Sequence, residues 1–290
     1  MKIAFIGYGN MSIAIIDGIL ESKNNNFLDN IYIFHNKENL HSKKEGCKYY
    51  LSGNNQSKEN FDIVFLAVKP KDINNAIREN INIFKDEQII ISIVAGINVK
   101  TIKSIINRNN SIIRAMPNLC AKIKKSTSII FYYNNLNNNL KKSIESLFSC
   151  IGSIIIITDE EQLHSYTALT GSGPAYVMYF IEAMYEACEN FNIDDSLKFK
   201  VILDMAIGTL DLIEKKSKGI EDIKKMRNEV TSKGGTTEAA IKSLSDNEIS
   251  EVFINFVSMF ISFIKNLGPS STIKFKLKPE RSGKRSARAI

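Results

Sequence analysis

Ile3-Ala4-Phe5-Ile6-Gly7-Tyr8-Gly9-Asn10-Met11-Ser12 decides the fold. Four apolar residues in a row read as a strand buried on both faces. The Gly-x-Gly turn that follows runs straight into a helical pattern, with Ile13, Ala14, Ile16 and Ile19 on one side. Gly7 permits a tight turn, and Gly9 lets backbone approach a pyrophosphate seated at the helix N-terminus. The third glycine of that fingerprint is replaced by Ser12, still small enough for close helix–strand packing.

Working outward, short β-branched runs alternate with polar helical stretches as far as Thr158. Strands are predicted at Ile3–Ile6, Ile31–Phe34, Ile63–Val68, Ile89–Val94, Ser111–Ala115, Thr127–Tyr132 and Ile154–Ile157, with helices at Met11–Ser22, Ile73–Asn80 and Leu140–Phe148. From Glu160 on the period changes. Helices are predicted at Glu161–Leu169, Pro174–Asn190, Leu197–Lys216, Ile220–Glu229, Thr237–Ser245 and Glu248–Asn266. The fold class is therefore α/β: a Rossmann-type, doubly wound, mostly parallel sheet followed by an all-helical domain. We divide the chain into a dinucleotide-binding domain (1–160), a helical domain (161–267) and a basic, disordered tail (268–290). The helices carry more apolar residues than one exposed domain hides, which points to dimerisation through them. The Asn-rich patches Asn24–Asn26 and Asn134–Asn139 read as solvated loops. Met178, Met184, Met205 and Met259 read as core.

The chain has 290 residues, a 44% hydrophobic share and a formal charge of +7. That charge does not mark a nucleic-acid binder, because residues 268–290 hold seven Lys or Arg against the single Glu280. The body is near neutral and has no basic stripe with interleaved aromatics. Cys47, Cys120, Cys150 and Cys188 make no CxxC pair, and His35, His41 and His164 show no ligand spacing, so neither a disulfide frame nor a metal site is expected. No window reaches the roughly 18 apolar residues of a membrane helix, and glycine and polar residues interrupt the N-terminus where a signal peptide is continuous. A cytoplasmic protein is expected.

The second strand selects the nucleotide. NAD sites usually end it in an acid that binds the ribose 2′-OH. Here the end reads Phe34-His35-Asn36-Lys37, which tolerates a 2′-phosphate and favours NADPH, with NADH as second choice. Two more carboxyl-edge turns, Ala67-Val68-Lys69-Pro70 and Ala95-Gly96, leave room for a nicotinamide ring against backbone. Near the other end, Val230-Thr231-Ser232-Lys233-Gly234-Gly235-Thr236-Thr237-Glu238-Ala239-Ala240 places two glycines and four hydroxyl residues before an apolar-periodic helix. Uncovered N–H groups at such a start suit a small carboxylate or phosphate.

With these pieces in order, the chain resembles the pyrroline-5-carboxylate reductases from Lys2 to Leu267. The resemblance rests on Gly7-x-Gly9-Asn10-Met11, Leu66-Ala67-Val68-Lys69-Pro70, Arg114-Ala115-Met116-Pro117-Asn118, Ala168-Leu169-Thr170-Gly171-Ser172-Gly173-Pro174-Ala175-Tyr176 and the Val230–Ala240 segment. It implies reduction of the C=N bond of 1-pyrroline-5-carboxylate to L-proline by NAD(P)H. It also implies homodimers intertwined through the helical domain, which can assemble into a decamer. By resemblance, Ser232, Gly234, Gly235 and Thr236 hold the substrate carboxylate, while Thr237 serves the imine nitrogen as the catalytic residue. Gly7, Gly9, Asn10, Met11, His35, Asn36, Lys37, Asn54, Ala67, Val68, Lys69, Pro70, Ala95, Gly96, Met116, Pro117 and Asn118 make up the cofactor site.

The chain departs from the family pattern at Leu119-Cys120 and Lys124-Lys125, where Thr-Pro and glycines are usual. It also has His164 in place of a common Asp, and Lys233 in place of a common Pro. Cys120 reads as a small buried filler and His164 as a polar residue at a helix start. A β-hydroxyacid dehydrogenase of similar build needs a lysine after the interdomain glycines, and no Lys or Arg lies between Lys142 and Lys198. A catalytically weak NADP-binding homologue, acting as a sensor or assembly factor, is the alternative from another class.

Overall fold

The computed structural model describes residues 1–22, 30–36, 43–53 and 58–265, with backbone only at Asn30 and Lys265. Lys37, His41, Asn54, Asn24–Asn26 and the basic tail lie outside the described residues. Among the described residues eight strands form one sheet in the order β3-β2-β1-β4-β5-β6-β7-β8: β1 Lys2–Ile6, β2 Asn30–His35, β3 Cys47–Leu51, β4 Ile63–Leu66, β5 Ile89–Ser92, β6 Ser111–Met116, β7 Ser126–Tyr132 and β8 Gly152–Ile157. All pairs are parallel except β6–β7. Residues 117–125 are too few for the dozen or so that a parallel crossover needs, so β7 returns antiparallel.

The period-two rule builds a core on each face of this sheet. Ile3 and Phe5 of β1 pack on the side of α1 (Asn10–Glu21) and α4 (Asn138–Ser149), with Ile15, Leu147 and Phe148. Ala4 and Ile6 pack on the other side with Ile73 and Ile77 of α2 (Ile73–Glu79) and Ile102 and Ile106 of α3 (Val99–Ile106). Phe5 and Phe65 stack with centroids 4.5 Å apart. Each such side chain, fully buried, contributes about 1.5–3 kcal/mol.

β3 and α3 are absent from the sequence expectation. β3 is a half-buried edge strand without a continuous apolar run. α3 is rich in β-branched residues, which disguise its helical spacing. It is held by Asn98, whose side chain accepts the Thr101 N–H at 2.8 Å, and it closes on Asn107 at φ 50°. β4 and β5 end two residues earlier than predicted, because Ala67-Val68 and Ile93-Val94 already turn toward the carboxyl edge. The Asn134–Asn139 patch also carries structure. Asn134 Oδ1 accepts the Ile112 N–H, and Asn137 caps α4 through the Leu140 N–H at 2.9 Å.

Among the described residues the last strand ends at Ile157. Beyond come α5 (Gln162–Tyr166), a π-turn at Thr167–Gly171, α6 (Gly173–Ala187), α7 (Asp195–Lys216), α8 (Ile220–Glu229), α9 (Thr236–Asp246) and α10 (Ile249–Lys265). Met116, Ile129, Ile157 and Leu163 form a small third core that joins the sheet to α5. The other helices leave large apolar side chains in the open, Met178, Met205 and Met259 among them at 51%, 44% and 57% exposure. The expectation that these methionines are core fails within one chain, because among the described residues no second layer covers their faces. Among the described residues no single helix is long and apolar enough to cross a bilayer; α9 and α10 reach that composition only jointly, across a 44° bend.

Candidate active site

The neighbours of β1 are β2 on one side and β4 on the other, so the chain reverses direction across the sheet at this point. A crevice opens at the carboxyl ends of such strands. Gly7 makes it accessible. Its N–H donates to the Phe34 carbonyl at 2.8 Å, and the Ala67 N–H donates to the Ile6 carbonyl at 2.9 Å. At φ 104°, a Cβ on residue 7 would stand 2.4 Å from the Ala67 carbonyl oxygen. Only glycine closes this turn. Gly9 then caps α1, whose first intrahelical bond runs from the Ile13 N–H to the Gly9 carbonyl.

The resulting cleft holds about 500 Å³ and brings together Gly7, Gly9, His35, Asn36, Ala67, Val68 and Lys69. Tyr8, Ser52, Lys71, Asn75 and Glu79 also line it, and the sequence did not single them out. Ser52 follows the unpredicted β3, and Asn75 and Glu79 share one side of α2, so their signal lay in the pairing of elements. The Tyr8 hydroxyl lies 3.3 Å from that of Tyr49, which accepts the Lys44 N–H at 2.7 Å. Burial first, and then the Tyr49 contact, push the Tyr8 phenol above its ordinary range, so it stays neutral. A hollow of about 620 Å³ at Asn60–Asp62 and Lys85–Ile89 lies at the amino ends of β4 and β5, the wrong end of parallel strands for this chemistry.

A second cavity of about 320 Å³ continues toward the helices. Met11, Ala95, Met116 and Pro117 meet Thr167, Gly171 and Ser172 of the π-turn segment there, with Phe260 and Ile264 of α10 closing one side. Single π-turns inside helices often mark functional sites. Here the turn sets Gly171 against the Thr167 and Met116 side chains, where a Cβ would meet the former at 3.1 Å. Asn10, Pro70, Gly96 and Asn118 lie beside the two cavities, not on their walls. Asn118 is buried, and its side-chain oxygen accepts the Cys120 N–H at 3.1 Å while its own N–H donates to Ser126 Oγ.

The departures from the family pattern acquire places. Leu119–Ile123 forms a 3₁₀ turn that ends on Lys124 at φ 59°, a conformation glycine adopts more readily. Cys120 is only half-buried, not a core filler. His164 lies in the first turn of α5, at a helix start as expected, and is buried there 3.8 Å from Glu161. Arg114, whose side chain is 2% exposed, donates to Glu160 Oε1 at 3.0 Å, and the same oxygen accepts the Val99 N–H at 2.8 Å. One carboxylate oxygen thus fastens β6, the start of α3 and the approach to α5.

Ser232, Gly234, Gly235, Thr236 and Thr237 sit at the other end of the helical region, at the start of α9. All but Gly235 are exposed, and none belongs to either cavity. Ser232 is folded over Gly235 so closely that a Cβ there would meet Ser232 Oγ at 2.5 Å. Gly235 N–H donates to the Ser232 carbonyl at 3.0 Å.

Residues 160–266 match the family model described as pyrroline-5-carboxylate reductase dimerisation, and residues 2–96 match NADP oxidoreductase, coenzyme F420-dependent. The chain is 35% identical over 261 residues to pyrroline-5-carboxylate reductase 2 of Bacillus subtilis, covering 88% of this chain and 91% of that protein. It is 35% identical over 260 residues to the pyrroline-5-carboxylate reductase of Staphylococcus epidermidis, covering 87% and 93%. Among solved structures, Plasmodium falciparum pyrroline carboxylate reductase with NADP bound superposes at TM-score 0.78 with 25% identity, over 92% of this chain and 98% of that one. The Coxiella burnetii pyrroline-5-carboxylate reductase gives 0.76 with 28% identity over the same shares. Sequence likeness along nearly the whole chain, a shared two-part fold and a glycine cradle at the sheet's switch point agree: the chain belongs to the pyrroline-5-carboxylate reductase family.

Proposed function

We infer that the chain reduces the C=N bond of 1-pyrroline-5-carboxylate to give L-proline, the last step of proline biosynthesis, with NADPH as hydride donor. The reading is carried by Thr231–Thr237 opening α9 in a chain 35% identical along most of its length to proteins of that name. The cleft fits a phosphorylated dinucleotide. Its Gly7–Gly9 floor leaves space for a pyrophosphate at the start of α1, where N–H groups and the helix dipole favour anions. β2 ends without an acid, and Lys69 and Lys71 face the same cleft, which suits a 2′-phosphate. Lys37 and Asn54 belong to the proposed set on sequence grounds.

When bound, the reduced nicotinamide supplies the hydride to the imine carbon. The chain's own task is to hold, orient and dehydrate. Ala95, Met116, Pro117 and Gly171 offer small or apolar walls that keep water from the reacting face. N–H groups around Gly235 and Thr236, helped by Ser232, take the substrate carboxylate. Thr237 presents its hydroxyl to the imine nitrogen, which takes a proton relayed from solvent as the carbon gains hydride. Positioning of this kind is the main source of rate when both partners are already reactive.

In this reading two copies of the chain complete each site. Residues 232–237 stand apart from both cavities, while α6 and α10 leave an apolar groove of about 800 Å³ lined by Tyr176, Phe180, Phe253 and Met259. A homodimer burying these faces, with a decamer as the larger assembly, brings α9 of one copy toward the cleft of another. Cys47, Cys120, Cys150 and Cys188 form no disulfide among the described residues, which suits a cytoplasmic setting.

The test follows NADPH oxidation with pyrroline-5-carboxylate in wild type and Thr237→Ala. Turnover should fall by about tenfold or more in the variant while NADPH binding is unchanged. Tight NADPH binding without wild-type turnover would overturn the reading in favour of a non-catalytic NADP-binding homologue.

A further inference from the structure

The start of α9 already holds a carboxylate. Glu238, the third residue of the helix, folds back so that its Oε2 accepts the Gly234 N–H at 2.7 Å. Gly234 sits at φ 74°, which turns its amide toward the helix start, where the first-turn N–H groups lack intrahelical acceptors. The chain's own side chain thus occupies the Gly234 amide, next to the Gly235 and Thr236 amides assigned above to the substrate carboxylate. We propose that Glu238 is a specificity-determining residue, an internal competitor that an incoming carboxylate must displace. The proposal rests on the assignment of residues 232–237 to substrate binding.

The chemistry of displacement is simple. Two carboxylates cannot share one small set of amides, because like charges at that range repel. Glu238 is exposed, so its side chain can swing into water without a cavity or a buried charge being left behind. It also has a second seat by spacing: Lys242 lies four residues on, the favourable Glu-before-Lys arrangement on a helix surface. Only a ligand that brings a full carboxylate charge together with contacts elsewhere in the site wins. A charged ring acid meets that condition, and an ester or amide of the same ring does not.

An ordinary capping role predicts the opposite sign. A glutamate at the third helical position that satisfies an orphan N–H supports the helix start. Its removal would loosen the amides and weaken every ligand. Competition predicts that removal tightens them.

The experiment uses the full chain. The KM for pyrroline-5-carboxylate is measured with NADPH, and the Kd of L-proline by calorimetry with NADP⁺ present, in wild type, Glu238→Ala and Glu238→Gln. For Glu238→Ala both constants should fall by about three- to tenfold, the share of sites that a charge-assisted hydrogen bond keeps self-occupied. Glu238→Gln, which keeps an acceptor but loses the charge, should fall between. Constants that stay level or rise in Glu238→Ala, with helix content retained by circular dichroism, overturn the proposal. Wild type that binds proline yet does not turn over pyrroline-5-carboxylate overturns the assigned reaction but leaves the Kd ratio to decide the competitor. Neither turnover nor proline binding in any of the three removes both.

Discussion

Arg114 is the largest fully buried side chain among the described residues, and it sits on β6, an interior strand between β5 and β7. Burial pushes its guanidinium down from the ordinary arginine value, and the Glu160 contact opposes that shift, so the pair is coupled. Breaking such a pair from one side leaves a charge in low dielectric. We expect Glu160→Gln to cost about 3 kcal/mol or more, seen as a lower urea midpoint at an unchanged slope. Pairing it with Arg114→Met should recover most of that loss, since an apolar replacement of both partners removes the desolvation cost. The sequence exposed half of this contact. Arg114 is visible in a motif, but its partner lies 46 positions away, and only the approach of β6 to the start of α5 shows why both are charged. The Gly7–Gly9 floor was legible because a local turn dictates it. Tyr8 was not, since its direction depends on Tyr49 of an edge strand.

Among elements, α7 shows how a helix without a buried face is held. It runs for 22 residues yet buries only Lys198 and Ile202. Its start is secured by Asp194, whose carboxylate accepts both the hydroxyl and, at 2.9 Å, the N–H of Ser196. The Ser196 hydroxyl first, and then the backbone N–H groups, hold the Asp194 carboxyl below its ordinary value of 3.8. A depressed folded value means that the stabilisation is full above pH 3.8 and is lost as pH falls through the lower folded value. Asp194→Ala should therefore lower Tm at neutral pH, and the gap to wild type should close in strong acid. Asp194→Asn, an equally good cap, should keep most of the neutral-pH Tm. Thermal scans from neutral to strongly acidic pH check both. Caps of this kind are readable in sequence, as Asn98, Asn137 and Asp194 each precede a helix. α3 itself escaped because Val99, Ile102 and Ile106 could equally belong to a strand until the sheet leaves them a place beneath it.

The whole molecule is unevenly finished. Residues 1–157 bury two complete cores, whereas α6, α7 and α10 present Tyr179, Phe180, Leu210 and Phe253 to the outside. Phe180 is 56% exposed, beside a ring cluster in which Tyr176 and Phe256 lie 4.5 Å apart and Phe253 and Phe256 5.3 Å apart. Apolar surface on this scale marks an interface. We expect Phe180→Glu to yield a monomer by sedimentation that binds NADPH with unchanged affinity and has lost turnover; full activity in that monomer would count against a site shared between copies. What the sequence determined alone is whatever neighbours along the chain dictate: the strand–glycine–helix opening, the change from period two to helical period near residue 160, and the glycine pair before α9. The tertiary structure decided what depends on meetings between distant segments: the edge strand β3 beside β2, the π-turn packed on Met116, the buried Arg114–Glu160 pair, and the separation of Thr237 from the cleft within one chain. Backbone turns and periodicity are local interactions written at fixed spacing, whereas burial and charge pairing exist only once the sheet has brought its parts together.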